Sequence, residues 1–186
     1  MKQHIREGKL LWEPSREHLS GSKIARYMDW LSEARGLSFN SYGDLWKWSA
    51  TDLEAFWVSI WDFFEIHSSR PYSDVLSSKV MPGAQWFQGA ELNYAEHALR
   101  RRDNGLAVLF SSETRPIETT TYAELYRQVA ATAVGLRNMG VGVGDRVVGV
   151  MPNIPETLVA FLATASIGAI WSSCSPEFGI SSVIER

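Results

Sequence analysis

The spacing of apolar residues changes near residue 90. Before that point the apolar positions follow helical spacing and almost never alternate. Ser20 or Ser22 can cap a helix over 22–35 that carries Ile24, Tyr27, Met28 and Leu31 on one face and stops at Gly36. A short second helix is expected over "YGDLWKWS", residues 42–49. A third is expected over 52–66. Thr51 and Glu54 read as its capping box, and Leu53, Phe56, Trp57, Ile60, Trp61 and Phe64 follow at helical spacing. Such an aromatic stripe can stack a cofactor or a nucleic-acid base, but packing surface is its ordinary use, so Trp57 and Trp61 are expected in the interior. Residues 67–88 hold Pro71, Pro82 and Gly83 and read as loop.

Beyond residue 90 helical and strand patterns take turns. "AELNYAEHALRRR" (90–102) reads as a helix with Leu92, Ala95 and Leu99 facing inward, and "LAVLF" (106–110) as a short strand. Thr121 with Glu124 forms a capping box for a helix over 121–139, with Leu125, Val129, Ala133 and Leu136 on one face and Gly140 at its end. "RVVGVM" (146–151) reads as a buried strand through Val147, Val148 and Val150. Pro155 suits the first turn of a helix over 155–167, apolar nearly all round and therefore buried. "AIWSS" (169–173) is the next strand. Strand, long crossover helix and strand imply parallel pairing in a right-handed βαβ unit. "FGISSVIER" then opens a further helix. The fold class expected is mixed α/β: a helical amino-terminal extension over 1–88, then over 89–186 the first βαβ elements of a larger domain. Parallel sheets are covered on both faces, and these strands supply part of one, so the pattern reads as incomplete at its carboxyl end.

Composition adjusts this picture in a few places. Seven of the eight tryptophans precede residue 90, so the helical half has a core of its own. The net charge of −3 and the lack of a long basic block give nucleic acid no electrostatic footing. The one cationic run, Arg100–Arg101–Arg102, falls at an expected helix end, where it would complement the macrodipole. The first residues, "MKQHIREGKLLWEP", are too charged for a signal peptide. The longest apolar run, Leu158 to Ile170, is about 13 residues against the ~20 of a membrane span. A cytoplasmic protein with neither membrane nor nucleic acid as partner is expected.

Three features suggest chemistry. "GVGVGD" (140–145) looks like a phosphate loop, but its glycines follow a helix and precede a strand, the reverse of the dinucleotide fingerprint; turn chemistry is the expectation. His4, His18, His67 and His97 show no metal spacing, and His97 reads as a surface or satisfied residue within a helix. Cys174, the single cysteine, excludes an internal disulfide. It stands after a strand end, where ligand sites gather in open α/β sheets, yet no helper group is visible and a passive small residue is expected.

Longer stretches carry a resemblance. "QWFQGAELNYAEHAL" (85–99) resembles the segment leading into the adenylate-forming domain of short-chain acyl-CoA synthetases. Residues 120–179, from "TTYAEL" through "GVGVGDRV" and "MPNIPE" to "PEFG", are similar to the start of that AMP-binding domain. "IGAIWSSCSPEFG" (167–179), "LLWEPS" (10–15) and "SYGDLWKWS" (41–49) resemble the acetoacetyl-CoA synthetases within that superfamily. The resemblance implies an ATP-dependent acid–CoA ligase that binds ATP, Mg²⁺ and CoA. Such a ligase turns acetoacetate, ATP and CoA into acetoacetyl-CoA, AMP and pyrophosphate through an acyl-adenylate, in ketone-body utilisation and lipid metabolism.

It further implies that no catalytic residue lies in this chain, since the family's phosphate loop, ribose acid and lysine all fall later. Residues 1–186 alone would then be inactive and bind none of these cofactors. The paired glycines that approach CoA in acetyl-CoA synthetases correspond to Pro176 and Glu177, which keep the place near the CoA path but not the residue type. Two other readings stand beside this one: an acetyl- or propionyl-CoA synthetase relative, and a non-catalytic, aromatic-rich helical docking module. An unfinished sheet edge would also allow the chain to associate with itself or with a complementary piece.

Overall fold

The structure, a computed structural model, describes residues 7–185; His4 lies outside them. The chain divides into two compact units, the first comprising residues up to 66 with 72–89, the second 67–71 with residues from 90 onward.

The first unit is built on four helices. Helix α1 (Arg16–Ser20), absent from the sequence expectations, is capped by the Ser15 hydroxyl, which accepts from the His18 N–H. Helix α2 (Lys23–Arg35) starts at Ser22, whose side chain accepts from the Ala25 N–H, and ends at Gly36 with φ +68°, a left-handed geometry that glycine adopts without strain. Helices α3 (Tyr42–Thr51) and α4 (Leu53–Phe63) meet at Asp52, which closes one and caps the other by accepting from the Ala55 N–H. The expected Thr51–Glu54 capping box is therefore incorrect: Thr51 ends α3 and its hydroxyl donates to the Lys47 carbonyl at 2.9 Å. The expected loop over 67–88 also contains a short antiparallel hairpin, β1 (Asp74–Leu76) with β2 (Trp86–Gln88).

Tyr27, Leu31 and Leu45 form the buried centre of this unit, with Trp48, Phe56, Ile60 and Phe63 packed around it. The Tyr27 hydroxyl meets the Ser59 hydroxyl at 2.5 Å, and Ser59 donates to the Phe56 carbonyl at 2.6 Å, so the buried polar atoms are paired. Burial raises the Tyr27 phenol above its ordinary value. The α4 stripe departs from expectation. Trp61 is half-buried against Tyr72 and Phe87, at ring distances of 5.3 and 4.7 Å, while Trp57 stays 40% exposed, in edge contact with Phe56 and Trp86. The reason is geometric: α2 and α3 take the Phe56–Ile60–Phe63 side, the hairpin takes Trp61, and Trp57 falls between the two coverings.

The second unit is organised by α7 (Pro155–Ser166). It has no side-chain cap but does have proline in its first turn, and Val159, Leu162, Ala163 and Thr164 are buried along it. Thr164 is satisfied internally, its hydroxyl donating to the Ala160 carbonyl at 2.8 Å. Helix α6 (Tyr122–Asn138) opens on the expected capping box of Thr121 and Glu124 and lays Leu125, Val129 and Ala133 into the same core. Strands β5 (Arg146–Val150) and β6 (Ile170–Cys174) pair in parallel, Arg146 opposite Ile170 through Val150 opposite Cys174, with α7 as the crossover between them. The Trp171 ring lies over Gly149, where a Cβ would meet it at 2.5 Å. Helix α8 (Ile180–Ile184) follows.

Four expectations in this unit are corrected. Helix α5 spans only Tyr94–Ala98, because Asn93 caps it and also donates through Nδ2 to the Ala165 carbonyl at 3.0 Å, fixing its start on α7; Leu92 is left outside and exposed. Arg100–Arg102 lie past the helix end, and Arg101 and Arg102 instead sit over the rings of Tyr122 and Tyr126 at 4.1 and 4.0 Å. Strand β3 (Leu106–Phe110) pairs antiparallel with β4 (Glu118–Thr121), a strand its threonine-rich sequence had hidden in a polar loop. The parallel pairing of β5 and β6 holds, but their burial does not, since Val148 is 59% and Val150 50% exposed on alternate positions of one face.

Truncations should rank by burial. Leu31→Ala should cost about 2–5 kcal/mol, the range for fully buried leucine, with half-buried Trp61→Ala below that and Trp57→Ala the mildest. Urea midpoints of the three variants check the order, and equal losses for Trp57→Ala and Leu31→Ala would contradict it.

Candidate functional site

In open α/β sheets ligands collect at the carboxyl ends of parallel strands. Here that end is formed by two connections. Residues 151–154 run from β5 into α7, and residues 175–179 run from β6 into α8. The Met151 N–H donates to the Cys174 carbonyl at 3.1 Å and ties the two together. The Thr157 hydroxyl donates to the Pro152 carbonyl at 2.6 Å and holds the first connection against the start of α7.

Pro176 and Glu177 occupy the second connection and are exposed. Ser175 shapes their turn: its carbonyl accepts from the Phe178 N–H at 3.1 Å, and its hydroxyl accepts from the Glu177 N–H at 3.4 Å. Glu177 has no ion-pair partner among the described residues, so its carboxylate stands free beside the open end of the sheet. Cys174 is free but buried beneath this turn, which keeps its thiol away from solvent, as a passive residue requires.

The start of α7 carries a network that no spacing rule had indicated. Arg115 donates from Nε and Nη2 to the two oxygens of Glu118, at 3.0 and 2.6 Å, in a fork-to-fork pair. Its Nη1 reaches both oxygens of Glu156 at 3.2 and 3.3 Å. The guanidinium also lies 4.8 Å from the Phe110 ring centroid. Hydrogen bonds from Arg115 hold the Glu118 carboxyl below its ordinary value. The Glu156 carboxyl is lowered first by its own backbone N–H at the helix start and then by Arg115. Arg115 and Glu118 are three residues apart, a visible pairing, but Glu156 comes 41 residues after Arg115 and only the fold brings it in.

The glycine run behaves as a turn. Gly140 ends α6 with φ +88°, the Gly142 N–H donates to the Asp145 carboxylate at 2.7 Å, and the Gly144 N–H donates to the Gly168 carbonyl at 3.0 Å. Its amides are thus engaged, and a carboxylate sits where a phosphate would need donors. The residues here do not fit the phosphates of ATP. His97 is less settled than a satisfied residue should be. Arg100 Nη1 approaches its Nε2 at 3.3 Å, its buried Nδ1 has no hydrogen-bond partner among the described residues, and burial and Arg100 lower its pKa. His67 pairs with Glu96 at 3.2 Å. Among the described residues no group of three or more His, Cys, Asp or Glu could hold a metal ion, and no helix is long and apolar enough to cross a membrane.

Two family comparisons follow one another along the chain. The family described as acetyl-coenzyme A synthetase N-terminus matches residues 42–98, and the AMP-binding enzyme family matches residues 95–184. The two matches together run over residues 42–184, so most of the chain is similar to AMP-binding, adenylate-forming enzymes. A solved structure of acetoacetyl-CoA synthetase from Streptomyces lividans superposes with a TM-score of 0.89 at 45% identity, covering 96% of this chain and 28% of that one. Acetoacetyl-coenzyme A synthetase of Rhizobium meliloti is 40% identical over 95% of this chain and 27% of its own length. The Xenopus tropicalis acetoacetyl-CoA synthetase is 37% identical over 100% of this chain and 28% of its own. The chain therefore spans little more than a quarter of the length of these relatives. Strands β5 and β6 and helix α7 fall within the AMP-binding match, and the first unit precedes it.

The Arg115 network predicts an acid sensitivity. Glu118 and Glu156 have folded-state pKa values below the ordinary 4.5, so their contribution is complete above that value and is lost as pH falls through the lowered ones. Arg115→Ala should therefore lower the melting temperature at pH 7 and narrow its gap to the parent as pH drops from 5 to 3. A gap that stays constant over that range would show that these carboxylates do not need Arg115.

Proposed function

We propose that this adenylate-forming chain serves an acid–CoA ligase whose acid is acetoacetate. A carboxylate oxygen of acetoacetate attacks the α-phosphorus of ATP, the bond to the bridging oxygen breaks, and pyrophosphate leaves. The CoA thiolate then attacks the carbonyl of the acyl-adenylate and AMP departs. Mg²⁺ would neutralise the phosphates in such a reaction. The observation that carries this reading is a likeness to acetoacetyl-CoA synthetases that runs through both units rather than through one motif. Cytoplasmic action on small molecules, in ketone-body utilisation and lipid metabolism, goes with it.

On this reading the chain's own residues act by position. Pro176 and Glu177 flank the path of CoA at the open end of the β5–β6 pair, and the Arg115 network steadies the start of α7 beside it. The glycine turn holds no nucleotide, so no step is assigned to it. A second reading keeps the class and changes the acid to acetate or propionate. It is favoured by the match of residues 42–98 to the acetyl-coenzyme A synthetase N-terminus.

A protein of the relatives' length carrying these residues should form acetoacetyl-CoA from acetoacetate, ATP and CoA, and side-by-side assays with acetate and propionate decide between the readings. Residues 1–186 alone should show neither acetoacetate-dependent pyrophosphate exchange nor calorimetric ATP·Mg binding, since loss of one charge-stabilising donor at such sites already costs ~10²–10³ in rate. Micromolar ATP affinity of the isolated chain would overturn the placement of the site.

A further inference from the structure

Hydrogen bonds in the second unit run from Arg115 to the turn that carries Pro176 and Glu177. Arg115 Nη1 holds both oxygens of Glu156 at 3.2 and 3.3 Å, while its Nε and Nη2 are locked on Glu118. Glu156 is the second residue of α7, so this grip fixes the first turn of the helix. Beside it, the Thr157 hydroxyl donates to the Pro152 carbonyl at 2.6 Å, and the Ile154 N–H donates to the same carbonyl at 3.0 Å. The connection from β5 is thereby folded back onto the helix it enters. Met151, its first residue, donates through its N–H to the Cys174 carbonyl at 3.1 Å. Ser175 follows Cys174 and shapes the turn through Glu177 and Phe178.

Every contact in this relay is made between groups of the second unit, so the relay does not depend on how the surface is covered. Its bonds are also directional. All three guanidinium nitrogens of Arg115 are engaged by carboxylates of the chain, and the planar fork cannot turn toward a ligand without releasing one of them. Arg115 therefore holds rather than binds.

We propose that Arg115 is a positioning residue for the 175–179 turn, acting through Glu156, the 151–154 connection and the bond from Met151 to Cys174. The proposal rests on the ligase reading, which sets CoA beside that turn. It assigns Arg115 to the thioester-forming step rather than to adenylation, because the relay ends on the turn that flanks the CoA path.

The test uses a protein of the relatives' length and whichever of acetoacetate, acetate and propionate the parent turns over. Arg115→Ala should lower kcat/KM for CoA by about 10-fold, within the ~2–30-fold that such relays transmit. Acid-dependent pyrophosphate exchange, which reports adenylation without CoA, should stay at the parent's rate. Arg115→Lys should not restore CoA use, because an ammonium cannot hold two carboxylates through a planar fork. Thr157→Val removes one bond of the relay while leaving Arg115 paired, and should show the same selective loss. Arg115→Ala with Glu156→Ala should cost no more than either change alone. Assays well below each melting temperature keep unfolding out of the comparison, and Arg115→Lys and Thr157→Val carry the test if Arg115→Ala does not fold. Equal losses in exchange and in CoA use, additive losses in the double variant, or an unchanged CoA dependence would each overturn the positioning role. A parent that activates none of the three acids would overturn the ligase reading and this proposal with it, a failure distinct from an active parent indifferent to Arg115.

Discussion

Helix α7 has no polar side to offer water, and the second unit is arranged around that constraint. With Val159, Leu162, Ala163 and Thr164 all buried, the helix needs a neighbour in each direction. Helix α6 supplies one through Leu125, Val129 and Ala133, and α5 supplies another through Ala95 and Leu99. The β5–β6 pair supplies a third, with the Trp171 ring against Gly149 and its centroid 6.4 Å from that of Phe161. Polar contacts then fix register: Asn93 to the Ala165 carbonyl at one end, and Arg115 to Glu156 at the other. Apolar burial gives the stabilisation and is indifferent to direction; these few directional bonds choose among the ways α7 could be covered.

What could be read from the sequence was whatever depends on near neighbours in the chain. Ser22 and Gly36 bound α2 because a hydroxyl and a left-handed glycine act within one helical turn. Thr121 with Glu124, and Pro155, work at the same range. The errors share the opposite property. Thr51 and Glu54 have the letters of a capping box, yet Thr51 ends α3 and Asp52, between them, caps α4 by accepting from the Ala55 N–H, an outcome set by the bend between the two helices. The helix expected over 90–102 is too long because its periodicity ignores Asn93, which is anchored 72 residues away. Strand β4 was missed because Glu118 and three threonines become a strand only beside Leu106–Phe110.

The candidate site divides along the same line. The turn that carries Pro176 and Glu177 was located from the strand it follows and the resemblance around it, and Ser175 shapes it through contacts two and three residues away. The Arg115 network joins three segments of chain, and no local pattern announces it. The exposure of Trp57, Val148 and Val150 was equally hidden. Periodicity says which residues share a face, but not whether anything covers that face.

Uncovered apolar surface therefore carries information in this protein that the core does not. Val148 and Val150 lie on strands whose parallel pairing demands cover on both sides, and the chain spans little more than a quarter of its relatives' length. The exposed valines mark a face of the sheet of the kind that a further layer covers. Leu10, Leu11 and Trp12 are likewise apolar side chains that face water in a chain spanning little more than a quarter of its relatives' length, and exposure of that kind marks a face without naming its cover.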